Sequence, residues 1–138
     1  MAVINLKVVA VTVVSLVVLG SVLKSLGWFS LSLWRLEIAL GGDKMTHLIF
    51  SYLCTIALLF GFCRFGKAHR ERVRRFILLL ILVFAVDENL QRFIPTREFS
   101  WTDLISNLFG ILCALTSWLL LHYLFLLKQK KEQQHGLR

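Results

Sequence analysis

Residues 76–93 read FILLLILVFAVDENLQRF, and this stretch limits how the rest of the chain is arranged. Its apolar part, Phe76 to Val86, has only 11 residues. An α-helix needs roughly 20 apolar residues to cross hydrocarbon about 30 Å thick. A helix that crosses here must therefore carry Asp87, Glu88 and Gln91 into the membrane zone, where neighbouring helices have to shield them. The stretch predicts a helical bundle with a polar interior.

Three longer apolar stretches accompany it, from Val3 to Leu23, from Met45 to Cys63 and from Leu104 to Leu127. Each is long enough to cross a membrane alone. Hydrophobic residues make up 57% of the 138 residues, and the mean hydropathy of +0.73 is typical of a membrane protein. We predict an all-α membrane protein with a single domain over residues 1–127, and four transmembrane helices at about residues 3–23, 44–63, 75–93 and 103–127.

The net charge of +8 is distributed asymmetrically along the chain. Eleven Lys and Arg residues, against Glu71 and Glu132, lie near the N-terminus, between the second and third stretches, and after the fourth. The other loops hold five bases and six acids. By the positive-inside rule, this pattern predicts that both termini are cytoplasmic and that residues 128–138 form a basic cytoplasmic tail. Membrane topology therefore accounts for the net positive charge. Because no further explanation of the charge is needed, we expect no nucleic-acid partner.

The first outer loop, residues 24–42, is too apolar for a free loop. It contains Trp28 and Trp34, as an interfacial aromatic belt would, and Gly41-Gly42 is expected to turn the chain into the second span. We predict a short interfacial or re-entrant segment after the first helix. The first helix has a second interpretation, because its basic start, apolar core and Gly20-Ser21 also fit a cleaved signal peptide. Its length favours a retained span.

Polar residues lie where three of the four spans should reach the outer surface. We count residues from the basic residue at the cytoplasmic end of each span. His47 is 17 residues from that end of its span, Glu88 is 13 and Asn107 is 21. At about 1.5 Å per residue, these heights are roughly 25, 20 and 31 Å. All three fall in the outer half of the bilayer. We therefore predict one common site that faces the extracytoplasmic side.

Helical spacing predicts which polar residues share a face. Asp103 and Asn107 are four residues apart, and Gly110 and Ala114 continue the same face. Small residues allow a neighbouring helix to approach closely, so this face is expected to point into the bundle. The same spacing joins Asp43, Lys44 and His47 in the second span, and Asp87, Glu88 and Gln91 in the third.

These residue types suggest proton transfer and anion binding. The candidate catalytic residues are His47, Glu88 and Asp103, because a histidine and desolvated carboxyl groups can exchange protons near neutral pH. Lys44 and Arg97 are suited to an anionic headgroup. The full set of candidate ligand-binding residues is Asp43, Lys44, Gln91, Arg97 and Asn107. A metal site formed by His47, Glu88 and Asp103 would have suitable ligand types, but the spacing matches no recognised motif, so we predict neither metal nor cofactor.

A structural interpretation of the same residues also stands. The acids and bases of the outer half nearly balance, so they could form a closed ion-pair cluster that only holds the helices together. Ser100 and Asp103 fit a capping box at the start of the last span, and Pro95 is expected to end the third.

The polar residues, in this order and spacing, resemble the VanZ-like family of small bacterial membrane proteins. The resemblance covers about residues 40 to 126, with departures at Leu48, Thr96 and Ala114, where the family commonly has an aromatic residue, Gly and Gly. Because Gly permits backbone angles that Thr resists, the turn conformation does not carry over with the motif. The matching positions are Asp43, Lys44, His47, Glu88, Gln91, Pro95, Arg97, Ser100, Asp103, Asn107 and Gly110.

The resemblance implies a protein of the bacterial plasma membrane with a role in the cell envelope. The family's namesake is linked to resistance to the glycopeptide antibiotic teicoplanin. We expect the site to bind or modify an anionic membrane lipid or a lipid-linked cell-wall precursor. The alternative is a non-catalytic accessory protein, whose polar residues are structural and whose outer loop contacts a partner membrane protein or a second copy of the chain. Whether the chain is an enzyme is left open by its sequence.

Overall fold

The computed structural model describes residues 5–63, 70–95 and 97–135, and within them it contains helices and no strand. The all-α class is therefore confirmed. A short 3-10 helix, Gln91–Phe93, follows the fourth of five α-helices. These are α1 (Leu6–Ser25), α2 (Ser30–Ala39), α3 (Asp43–Phe62), α4 (Arg70–Leu90) and α5 (Trp101–His135).

Three of these helices, α1, α3 and α5, are long and apolar enough to cross a membrane. They correspond to the three longer apolar stretches of the sequence. Helix α4 has a comparable length of 21 residues, but basic residues begin it and acidic residues end it, which leaves the short apolar middle noted above. Residues 128–135 of the predicted basic tail are helical and continue α5. Lys128 and Glu132 form an ion pair at 3.9 Å on its surface, as an i, i+4 pair on a helix can.

The predicted segment after the first helix is a short helix, α2, with two tight turns at its ends. The chain enters it through Gly27 and Phe29, which have positive φ angles of 71° and 56°. It leaves through Gly41 and Gly42, with φ angles of 98° and 99°, a conformation that glycine adopts at little cost. The expected Gly41-Gly42 turn into α3 is therefore present.

Helix α3 lies at the centre, and α5 packs against it more extensively than any other helix does. Close approach depends on glycine: a Cβ atom at Gly110 would clash with Ser51 Oγ and the Leu48 carbonyl oxygen. On the opposite side, a Cβ at Gly61 would lie 2.8 Å from Ala10 Cβ. The predicted seam of small residues on α5 therefore faces α3, where Gly110 and Ala114 are both buried.

The interior of the bundle is apolar at one end and polar at the other. At the apolar end, Leu59, Cys63 and Trp118 form a buried cluster. Midway, Ser51 and Thr55 are buried, and each hydroxyl donates to a carbonyl oxygen of its own helix. The polar end is formed where α3 and α5 begin and where α1 and α4 end. It contains the buried side chains of Glu88, Gln91, Asp103 and Asn107.

Candidate functional site

The candidate site is a set of charged and amide side chains at the polar end of the bundle, which we call the polar cluster. It joins residues from α1, α2, α3, α4, α5 and the segment between α4 and α5. Its members are Lys24, Glu37, Asp43, His47, Asp87, Glu88, Gln91, Arg97, Asp103 and Asn107.

Glu88 is the most deeply buried acid of the cluster, with no solvent-exposed surface. Its Oε1 accepts a hydrogen bond from the backbone N–H of Ser100 at 2.8 Å. Its Oε2 accepts one from Gln91 Nε2 at 3.2 Å. Since Ser100 directly precedes α5, these bonds connect the end of α4 to the start of α5. A buried carboxylate held by neutral donors is costly unless other groups in the site offset its charge.

The start of α5 shows part of the predicted cap. Ser100 Oγ accepts a hydrogen bond from the backbone N–H of Asp103 at 3.3 Å. The Asp103 side chain does not stay at the surface, as a purely capping residue would, but is only 5% exposed. It therefore belongs to the interior of the cluster.

A second chain of hydrogen bonds reaches Arg97. Gln91 Nε2 lies 3.3 Å from Asp87 Oδ2, and Ser21 Oγ donates to Asp87 Oδ1 at 3.3 Å. Arg97 donates to the hydroxyl oxygens of Ser21 at 3.3 Å and Ser25 at 3.2 Å. The sequence analysis missed both serines, although their i, i+4 spacing at the end of an apolar stretch marks one polar face.

An ion-pair group connects the first three helices. Lys24 Nζ contacts Glu37 Oε1 and lies 2.9 Å from Asp43 Oδ1. Lys24 therefore links α1 to the short helix α2 and to the start of α3. The sequence analysis missed Lys24 and Glu37 as site residues, because each lies in or beside the first outer loop, whose folding the sequence left undefined.

The remaining part of the cluster consists of two acids, a histidine and an amide from α3 and α5. His47 Nε2 lies 3.8 Å from Asp43 Oδ1. One donor atom each from Asp43, His47 and Asp103 lie within 4.8 Å of one another. Asn107 is one turn further along α5 and is only 2% exposed. Among the described residues, the Oδ1 atoms of Asp103 and Asn107 have no hydrogen-bond partner.

The structure leaves one predicted site residue, Lys44, outside the cluster. Its side chain is exposed, and it makes no hydrogen bond or ion pair with any residue that the structure describes. Successive helical residues are about 100° apart around the axis. The inward face is set by Asp43 and His47, so Lys44 is rotated toward the surface. The expectation that all three share the inward face is therefore wrong for Lys44.

The cluster carries more negative than positive groups. It includes five carboxylates, against the two fixed cations Lys24 and Arg97 and the ionisable His47. A second arginine, Arg92, is exposed, and its guanidinium carbon lies 3.9 Å from the centre of the Phe99 ring. The near balance that the sequence suggested for the whole outer half therefore does not hold inside the cluster.

Comparisons with protein-family models, with curated proteins and with solved structures give no match. The resemblance to VanZ-like proteins consequently rests on the motif residues alone. Among these residues, the structure brings Asp43, His47, Glu88, Gln91, Arg97, Asp103 and Asn107 into the polar cluster.

Proposed function

We propose that this chain is a VanZ-like protein of the bacterial plasma membrane, with four membrane-crossing helices and both termini in the cytoplasm. Helices α1, α3 and α5 have the length and composition for three crossings. The fourth crossing would be made by α4, which runs back along α3 and α5 and has its basic residues at the apolar end of the bundle. The basic end of α5 extends beyond the same end. With the positive charge in the cytoplasm, the polar cluster faces the extracytoplasmic side.

The proposed activity is binding of an anionic headgroup, from a membrane lipid or a lipid-linked cell-wall precursor, at the polar cluster. The observation that carries it is the environment of Arg97. This half-buried guanidinium donates to two serine hydroxyls and pairs with no described carboxylate, although Asp87 shares the same Ser21 hydroxyl. Its charge therefore stays available for a phosphate or pyrophosphate, which arginine binds in bidentate fashion.

The remaining groups have roles that follow from their position. Lys44, exposed at the start of α3, can add a second positive contact at the rim of the cluster. His47, Glu88 and Asp103 are the groups that would exchange protons with a bound headgroup, because each lies inside the cluster and His47 and Asp103 act electrostatically on Glu88.

Native mass spectrometry of the protein extracted with its lipids tests this proposal. We expect an anionic lipid species to remain bound to the wild type and to be lost from Arg97→Ala. Arg92→Ala is the matched control, because that arginine stacks on Phe99 outside the cluster. The mass of the species distinguishes a phospholipid from a polyprenyl-linked precursor. Equal lipid binding by both variants, or no anionic lipid on the wild type, would refute headgroup binding at Arg97.

A second candidate function, a non-catalytic accessory protein, is favoured by the way the cluster joins helices. Glu88 connects α4 to α5, and Lys24 connects α1, α2 and α3. Helix α2 also exposes Leu31, Trp34 and Ile38, which could contact a partner membrane protein or a second copy. Glu88→Gln separates the two functions, since it keeps the shape and removes the charge. A variant that is expressed normally and retains the envelope phenotype supports the accessory role, and loss of the phenotype supports chemistry at the cluster.

A further inference from the structure

The start of α3 and the start of α5 bring metal-ligating side chains together. Donor atoms of Asp43, His47 and Asp103 lie within 4.8 Å of one another. Ligand atoms lie about 2.0–2.2 Å from an ion such as Zn²⁺, so two ligands of one ion are about 3–3.5 Å apart. The separations of these atoms, which include 3.8 Å between His47 Nε2 and Asp43 Oδ1, exceed the spacing of such ligands by at most about 1.8 Å, a difference that rotation of carboxylate and imidazole side chains can close. Three ligands of suitable type are therefore within reach of a single ion.

A second observation, independent of this spacing, comes from buried oxygen atoms. The Oδ1 atoms of Asp103 and Asn107 are buried and have no hydrogen-bond partner among the described residues. Asp103 is 5% exposed and Asn107 only 2%. Buried polar atoms are nearly always satisfied by a protein group, a water molecule or an ion. Both residues lie on the inward face of α5, one turn apart, and Asp103 is the one whose carboxylate lies within 4.8 Å of the ligand atoms of His47 and Asp43.

Charge points to a cation as the missing partner. Asp103 forms no ion pair with a described residue, and Lys24, the fixed cation that contacts Asp43, is already shared with Glu37. Glu88, also without an ion pair among the described residues, adds a further negative group that acts on Asp103. Like charges at short distance in a poorly solvated site strongly disfavour ionisation. A divalent cation would offset two of them at once.

We propose that Asp43, His47 and Asp103, with the amide oxygen of Asn107 as a fourth ligand, bind one divalent transition-metal ion. A set of one imidazole and three oxygen ligands suits Zn²⁺ or Mn²⁺. The ligands come from two helices, so the ion also holds the start of α3 against the start of α5. The inference goes beyond headgroup binding and does not depend on it, although a bound dication would add positive charge where an anionic headgroup is proposed to bind.

The test uses the full-length protein in detergent, purified with a tag that contains no histidine and treated with a chelator that is then removed. Zn²⁺ or Mn²⁺ is added in excess, unbound ion is removed, and elemental analysis gives the number of ions per chain. We expect about one ion for the wild type, and a dissociation constant raised about tenfold or more for Asp103→Asn and His47→Gln. Glu98→Gln is the control, because Glu98 is exposed near the start of α5 and lies outside the polar cluster.

A spectroscopic measurement keeps the test decisive if Asp103→Asn does not fold. With Mn²⁺ bound to the wild type, pulsed electron paramagnetic resonance should show modulation from a coordinated imidazole nitrogen, which His47→Gln abolishes and Glu98→Gln retains. The proposal is overturned if the wild type binds no stoichiometric ion, or if all variants bind equally. It is also overturned if the wild type binds no ion and Asp103→Asn stabilises the metal-free protein. That result would show that a proton shared by the carboxyl groups of Asp43 and Asp103 explains their proximity. All of these measurements are made without added lipid, so their failure is distinct from failure of headgroup binding.

Discussion

Replacement of Gly110 by alanine is predicted to destabilise the bundle, because the added methyl group has no room between α3 and α5. The new Cβ would overlap Ser51 Oγ and the Leu48 carbonyl oxygen and would lie 3.1 Å from the Tyr52 backbone nitrogen. Two of these three atoms belong to the backbone of α3 and cannot rotate away. Helices α3 and α5 would therefore have to separate by about one ångström along their most extensive interface. Overpacking of this kind costs about 1–3 kcal/mol, and we expect a value near the upper end.

Gly20→Ala provides the matched control. It makes the same chemical change in the middle of α1, where a Cβ would meet no atom within 4 Å. In the interior of a helix, alanine is more stable than glycine by about 0.5–1 kcal/mol. We therefore expect this variant to be as stable as the wild type or slightly more stable. The two substitutions are therefore predicted to have opposite signs.

Equilibrium unfolding in mixed micelles, driven by increasing mole fraction of a denaturing detergent and followed by circular dichroism, gives the free energy of each variant. Ser51→Ala combined with Gly110→Ala should restore only part of the loss, because the Leu48 carbonyl oxygen still obstructs the Cβ. A Gly110→Ala protein that unfolds at the same detergent fraction as the wild type would refute the close approach of α3 and α5. Full restoration by Ser51→Ala would show that the side chain alone causes the clash.

Two further predictions concern the ion pairs and the topology. Lys24→Met leaves Glu37 and Asp43 without their shared cation and should lower the free energy of unfolding by about 1–2 kcal/mol, a figure reduced for partial exposure. Lys44→Met, at an exposed position without a described ion pair, should change it by less than about 0.5 kcal/mol in the same assay, and equal losses would contradict the role of Lys24. For topology, a membrane-impermeant maleimide added to intact cells or spheroplasts should label a single cysteine at Glu98→Cys and not one at Arg72→Cys, in a chain whose native cysteines are replaced by serine. Labelling of both positions would show that α4 does not cross the membrane.

Much of the fold could be predicted because it depends on the length of apolar stretches and on the spacing of polar residues, which are read from the sequence alone. The length of an apolar stretch predicts a membrane-crossing helix, and α1, α3 and α5 follow from it. The i, i+3 and i, i+4 spacing identified the inward face of α5, where Asp103, Asn107 and Gly110 are all buried. The grouping of Glu88 with Gln91 followed from the same spacing and is present as a hydrogen bond.

The remaining parts of the site depend on the path of the first outer loop. Glu37 reaches the cluster because α2 folds back toward α3, whereas Lys24 and the two serines that contact Arg97 lie in the last turns of α1. The direction of α2 is set partly by Phe29, a non-glycine residue with a φ of 56°, a conformation that few side chains favour and that sequence patterns do not reveal. The residues after position 127 were predicted to form a tail because of their charge, and the i, i+4 spacing of Lys128 and Glu132 is the sequence signal for the helix found there.

If the polar cluster binds a ligand as proposed, its location couples that binding to the stability of the bundle. In lipid, apolar side chains gain little by contacting one another, so helices associate through close packing and polar contacts. The bundle has close packing at Gly61 and Gly110, and an apolar cluster around Leu59 and Trp118 at one end. At the other end it depends on hydrogen bonds and ion pairs among groups whose net charge is negative. A ligand that adds positive charge there contributes its binding free energy to the folded state. Removal of such a ligand should therefore loosen the starts of α3 and α5 first, while the apolar end stays packed.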